Sequence, residues 1–295
     1  MASTKLHSFS KVAVNTITDP AVLLSTGGSI VVAEQSPIAA SINFSTSILC
    51  ASVRAVNEIK KQNVTVPTPR SLDLIFESKG GSQITASGIK MCAAADAARI
   101  IDFARPETFF NFGAMVGTSI ANFSRGFSFS TRPDSTLHKC LDVTGIGVPA
   151  LVYSFSNPEA PELLVAGYAA STLLAVDRSV RENANYALRQ PEMLMCATLW
   201  TSAATSTDPY IIAGSTLWGA GYLSQDMLRK HGGVAEGMED FAENVKEGLS
   251  GATNDLRHSC VDFLLYALNT CTDYKEISLD PENPYIKTDI ESLDL

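Results

Sequence analysis

Two Ser-x-x-Lys spacings carry the most explicit chemistry in the chain, Ser8 to Lys11 and Ser87 to Lys90. On a helix the two side chains lie one turn apart on one face, where the amine can take the hydroxyl proton for acyl transfer. The Ser-Asp-Asn and Lys-Thr-Gly elements that accompany this pair in serine acyl enzymes are absent. So are the Gly-x-Ser-x-Gly elbow, the phosphate-binding loop, Gly-x-Gly-x-x-Gly and His-Glu-x-x-His. No residue is assigned a catalytic role and no cofactor is implied.

Metal ligation fares no better. His138 lies two residues before Cys140, and His258 two before Cys260, but neither pair has a second pair to complete a site. The six cysteines form no Cys-x-x-Cys and read as reduced core thiols. Glu236, Glu239, Asp240 and Glu243 share a helix face without histidines at helical spacing, so they read as a solvated acidic face.

The richer pattern is the segment 99–139. Arg99, Arg105, Arg125, Arg132 and Lys139 are interleaved with phenylalanines, among them Phe123 and Phe127. Guanidinium groups bind phosphate oxygens in pairs and aromatic rings stack on bases, the recipe of a single-strand groove. The overall charge of −9 opposes a strong phosphate binder, but it is unevenly laid out. Residues 1–150 carry 13 Lys/Arg and 10 Asp/Glu, whereas residues 151–295 carry 9 and 21. The stretch 273–295 is acidic and contains Pro281 and Pro284, which suggests an extended arm.

These residues must be positioned by elements that the pattern partly reveals. Ser36-Pro37 is a helix start, and the helix should run to about Gln62. Arg105-Pro106, Pro161, Pro191 and Asp208-Pro209 open further helices, the last stopping at Gly232-Gly233. Residues 234–249 and 254–268 add two more helices. Gly27-Gly28 before Ser29–Ala33 predicts a short strand, Leu72–Glu77 a second, and Gln83–Thr85 a hairpin return after Gly80-Gly81. Residues 135–156 read as mixed, with turns at Gly145 and at Gly147-Val148-Pro149. The expected class is mainly α, an α+β arrangement with a small β element in the first hundred residues. The expected division is a mixed lobe over 1–150, a helical lobe over 151–272 and the acidic arm over 273–295.

The charged fraction is only 18% against an apolar fraction of 45%, as in a subunit whose surface is covered by neighbours. No apolar signal core follows Met1, and every apolar run is interrupted before membrane-spanning length, so a cytoplasmic or virion location and no membrane partner are expected. The leading expectation is a self-assembling coat or nucleocapsid subunit with exchanged terminal arms, enclosing single-stranded RNA or DNA through backbone contacts. An enzyme on a helical scaffold and a protein-binding adaptor are the alternatives.

Overall fold

The computed structural model describes residues 2–34, 36–68, 70–102, 105–132, 135–156, 161–176 and 191–243. Residues 1–238 form one compact unit and 239–295 another. The first unit is built from α1 (Ala2–Ile17), α2 (Pro20–Val31), α3 (Pro37–Lys61), α4 (Asp73–Glu77), α5 (Gly81–Ala98), α6 (Pro106–Ser128), α7 (Thr136–Ser156), α8 (Pro161–Val176), α9 (Pro191–Thr205) and α10 (Pro209–His231). A further helical stretch covers 234–243.

Helix starts follow local chemistry. Asp19 accepts from the Ala21 N–H at 2.9 Å, and Pro20 sets the first helical φ of α2. Ser36 caps α3 through the Ala39 N–H, and Asp208 caps α10 through Tyr210 N–H at 2.8 Å. α10 ends where expected, at Gly232 with φ of 94°, a conformation that glycine enters without steric penalty.

The expected β element is not present among the described residues. Ser29–Val31 lie in α2, Leu72–Glu77 form a 3₁₀ turn and α4, and Gln83–Thr85 are the first turns of α5. A short apolar run has no periodicity that separates strand from buried helix, and here the helix caps decide. Residues 136–156 are likewise helix, with Pro149 inside it. The N-terminal residues, expected as an arm, form α1. The division expected at 150 falls within α7, while residues 254–295 lie outside the described residues.

The turn expected at Gly80 is present, while Gly145 and Gly147 lie inside α7, and several glycines are contact points between helices. A Cβ on Gly27 would sit 2.8 Å from the Gly214 oxygen and the Trp218 nitrogen, so α2 and α10 meet backbone to backbone. Gly80 abuts Gly126 between α5 and α6, Gly147 faces the Tyr168 ring between α7 and α8, Gly167 faces Thr198 between α8 and α9, and Gly219 faces Trp200 between α9 and α10. Neighbouring helices run antiparallel: Gly80 meets Gly126 while Ser87 meets Ser119, and Gly167 meets Thr198 while Ser171 meets Pro191. Close approach through small residues is how helices pack where side-chain burial alone does not hold them together.

One described helix, α3, is long and apolar enough to cross a membrane by length and composition, with 39% of its apolar stretch buried. This corrects the expectation that no segment reaches that length. The interruptions by Ser and Thr do not shorten an α-helix, since each hydroxyl can bond back to a carbonyl one turn earlier, as Thr46 does to Ile42.

Candidate functional site

The helices carry their polarity inward. On α3, Asn43, Thr46, Ser47, Arg54, Asn57 and Glu58 are buried, whereas Ile38, Phe44, Ile48 and Leu49 are exposed. On α6, Ser119, Asn122, Ser124, Arg125 and Ser128 are buried, and Phe109, Ile120, Phe123 and Phe127 face outward. α10 is mixed, with Ser215, Ser224, Gln225 and Asp226 buried beside Ile211, Trp218, Tyr222 and Leu228, and Tyr210 and Ile212 outside. In water the usual ordering is the reverse.

Three polar groups of side chains occupy the interior. The first joins α1, α2, α3 and α5. Arg54 lies 2.8 Å from the Glu58 carboxylate and 3.9 Å from that of Asp19, and donates to the Gly232 carbonyl at 3.0 Å. Ser82 donates to Asp19, and Asn15 donates to Glu58. A central cation flanked by two carboxylates satisfies the requirement that buried charge be paired.

The second group joins α6, α7, α9 and α10. Arg229 reaches Glu192 at 2.8 Å and Asp142 at 3.0 Å. Asp142 also lies 3.2 Å from His138 Nε2, whose Nδ1 meets the Thr131 hydroxyl at 2.8 Å.

The third group differs in kind. Lys90 on α5 and Arg125 on α6 line a small cavity together with Asn43, Thr118 and Asn122. Arg125 donates to Tyr222 Oη at 3.0 Å and to Asn122 Oδ1 at 3.4 Å, and its guanidinium lies over the Tyr222 ring. Gly145 makes room for the arginine stem, since a Cβ there would sit 2.8 Å from Arg125 Cγ. Neither cation meets a carboxylate among the described residues.

The residues singled out for nucleic acid are dispersed. Arg125 is 6% exposed and committed to Tyr222, so burial removes it from any phosphate-binding surface. Arg99 and Arg105 are exposed, beside Asp96 and Asp102 at 3.5 Å each. Arg132 is exposed and Lys139 half-buried. Phe123 and Phe127 do come together, exposed and stacked with ring centroids 5.7 Å apart. Ser87 and Lys90 are both buried, but the Ser87 hydroxyl pairs with Ser119 at 3.1 Å, so no Ser–Lys dyad is formed. No group of three or more metal-binding side chains occurs among the described residues. His258 and Cys260 lie outside them. Asn122 and Tyr222 escaped sequence reasoning; the i, i+3 spacing of Asn122 and Arg125 was their only local signal.

Away from the helical interior, Thr68 and Lys60 hydrogen-bond Asp73 at 2.6 and 3.1 Å and hold its carboxyl below the ordinary range. No family model, curated protein or solved structure matches this chain.

Proposed function

We propose that α2, α3 and α5–α10 form a membrane-embedded helical bundle whose polar interior receives a polar solute. The inverted polarity of α3 and α6 carries this reading. Lipid tails cover Phe44, Ile48, Phe123 and Phe127 without penalty, whereas water would not. Buried charges that the protein does not itself pair, such as Lys90 and Arg125, are costly inside such a bundle and mark a solute path. Inward-facing Ser, Asn, Gln and Lys lower the average hydropathy of α5, α6 and α10, although their outward faces are apolar.

The ends of the helices support the same reading. At the end where α3, α6, α8 and α10 finish, the chain carries Lys60, Lys61, Arg70 and Lys79, then Arg132 and Lys139, and finally Arg229 and Lys230. The sequence joining α8 to α9 adds Arg178, Arg181 and Arg189. At the other end, the connections after α2, α5, α7 and α9 carry only Arg99 and Arg105 as cations, against Glu34, Asp102, Glu159 and Asp208. A bias of Lys and Arg toward alternate connections is the signature of cytoplasmic orientation.

The test is membrane fractionation with thiol labelling. The chain should stay with membranes in alkaline carbonate. In a Cys92→Ser background, an impermeant maleimide should label a Thr207→Cys variant in intact cells and leave Cys140, at the basic end, unlabelled until the cells are opened. Recovery of the chain in the carbonate supernatant would overturn the reading.

The exposed Phe123–Phe127 stack favours a second reading, a self-assembling coat or nucleocapsid subunit. Copies of the chain would then cover the apolar faces, and single-stranded nucleic acid would lie on the stack beside Arg132, without Arg125. Soluble particles with a raised 260/280 nm absorbance ratio would select this reading over the first.

A further inference from the structure

The cavity between α2, α3, α5, α6, α7 and α10 has room for one water-sized occupant, about 20 Å³. Its apolar wall includes Leu24, Met115 and Trp218. Lys90 and Arg125 enter it as two cations, 4% and 6% exposed. The electrostatic neighbours of Lys90 are the buried Cys50 thiol and Arg125, and neither cation forms an ion pair with a carboxylate among the described residues. Asn122 is 2% exposed and its Oδ1 accepts from Arg125, which leaves its Nδ2 as a buried donor without an acceptor. The Thr118 hydroxyl is spent on the Ala114 carbonyl at 2.7 Å. Asn43 Oδ1 also lacks a partner, and half a turn of its amide presents a further donor.

We infer that this cavity is a binding site for a small monovalent anion of halide size, held by Lys90 Nζ, the Arg125 guanidinium and Asn122 Nδ2. Two like charges and an unmet N–H, buried together, impose a desolvation and repulsion penalty that a bound anion removes. Pairing with a protein carboxylate would do the same, as Arg54 illustrates, but none is placed here. The single charge-pairing task and the small, apolar-walled space favour a compact ion such as chloride or bromide over a carboxylate. This inference stands apart from the bilayer reading, since its test reads a bound anion wherever the bundle resides.

Trp218 lines the cavity and the chain has only two tryptophans, so a Trp200→Phe variant makes indole emission a local probe. The purified full chain is titrated from gluconate to chloride at constant ionic strength. Emission should change saturably, bromide should quench with the same saturation, and acetate should not compete. Lys90→Met should shift the midpoint at least tenfold. A second readout needs no tryptophan replacement: the unsubstituted chain should melt several degrees higher in chloride than in gluconate, and Lys90→Met should abolish the difference. The absence of a saturable response in both readouts, or an unchanged midpoint in Lys90→Met, would overturn the site and mean that Lys90 rests there uncharged. Competition by acetate would overturn the size assignment.

Discussion

Arg54 and Arg125 are both buried and both belong to long helices, yet they are satisfied in different ways. Arg54 has Glu58 one turn along its own helix and Asp19 at the start of α2. Arg125 has a phenol, an amide and a neighbouring lysine. The first arrangement pairs its charges within the protein, and they hold α1, α2 and α3 together. The second is made almost wholly of donors, so its complement must come from outside the chain. Burial of a charged side chain thus says little by itself; the sign of what surrounds it separates a structural ion pair from a binding site.

That contrast can be broken by substitution. Arg54→Met leaves buried Asp19 without its cation and Glu58 with only Lys61, and should lower unfolding stability by about 3–5 kcal/mol, read by denaturant or thermal melts. Arg125→Met removes a cation that repels Lys90 and leaves only neutral partners, so its loss should be smaller, about 1–2 kcal/mol. Equal losses would erase the distinction drawn between the two arginines.

The frame on which both regions depend rests on the α2–α10 contact. Gly27→Ala pushes a methyl against the Gly214 and Trp218 backbone, which cannot rotate away, and should cost about 1–3 kcal/mol. Gly88→Ala, on the exposed side of α5 with nothing within 4 Å, should instead be neutral or raise the melting temperature. If Gly27→Ala proves as harmless as Gly88→Ala, the close approach of the two helices is wrong.

The smallest effect belongs to the surface pair of Lys60 and Asp73 at 3.1 Å. The Asp73 carboxyl is lowered in the folded state, so its contribution is present above the ordinary carboxylate range and fades as pH falls through it. Asp73→Asn should remove that acid sensitivity from protease cleavage of the 62–72 connection and leave the melting temperature nearly unchanged. A large change would mean that surface charge rivals the interior groups.

Local signals in the sequence determined where helices begin and end. Ser36-Pro37, Arg105-Pro106, Asp208-Pro209 and Gly232 act through their own φ angles and caps, and their effect reaches no further than one turn. They left undecided what Gly27-Gly28, Gly145 and Gly147 do, because a glycine that permits a turn is the same residue that permits another helix to approach. Only the partner, Gly214, Arg125 or Tyr168, tells the two apart, and each partner is distant in the chain. The same holds for the candidate site. Lys90 was visible as half of a Ser-x-x-Lys spacing and Arg125 as one of a basic set, but neither spacing says which way a helix faces. Tertiary packing turned both cations inward and Phe123 and Phe127 outward, because the face of each helix is chosen by all its neighbours together and not by the residues adjacent in sequence.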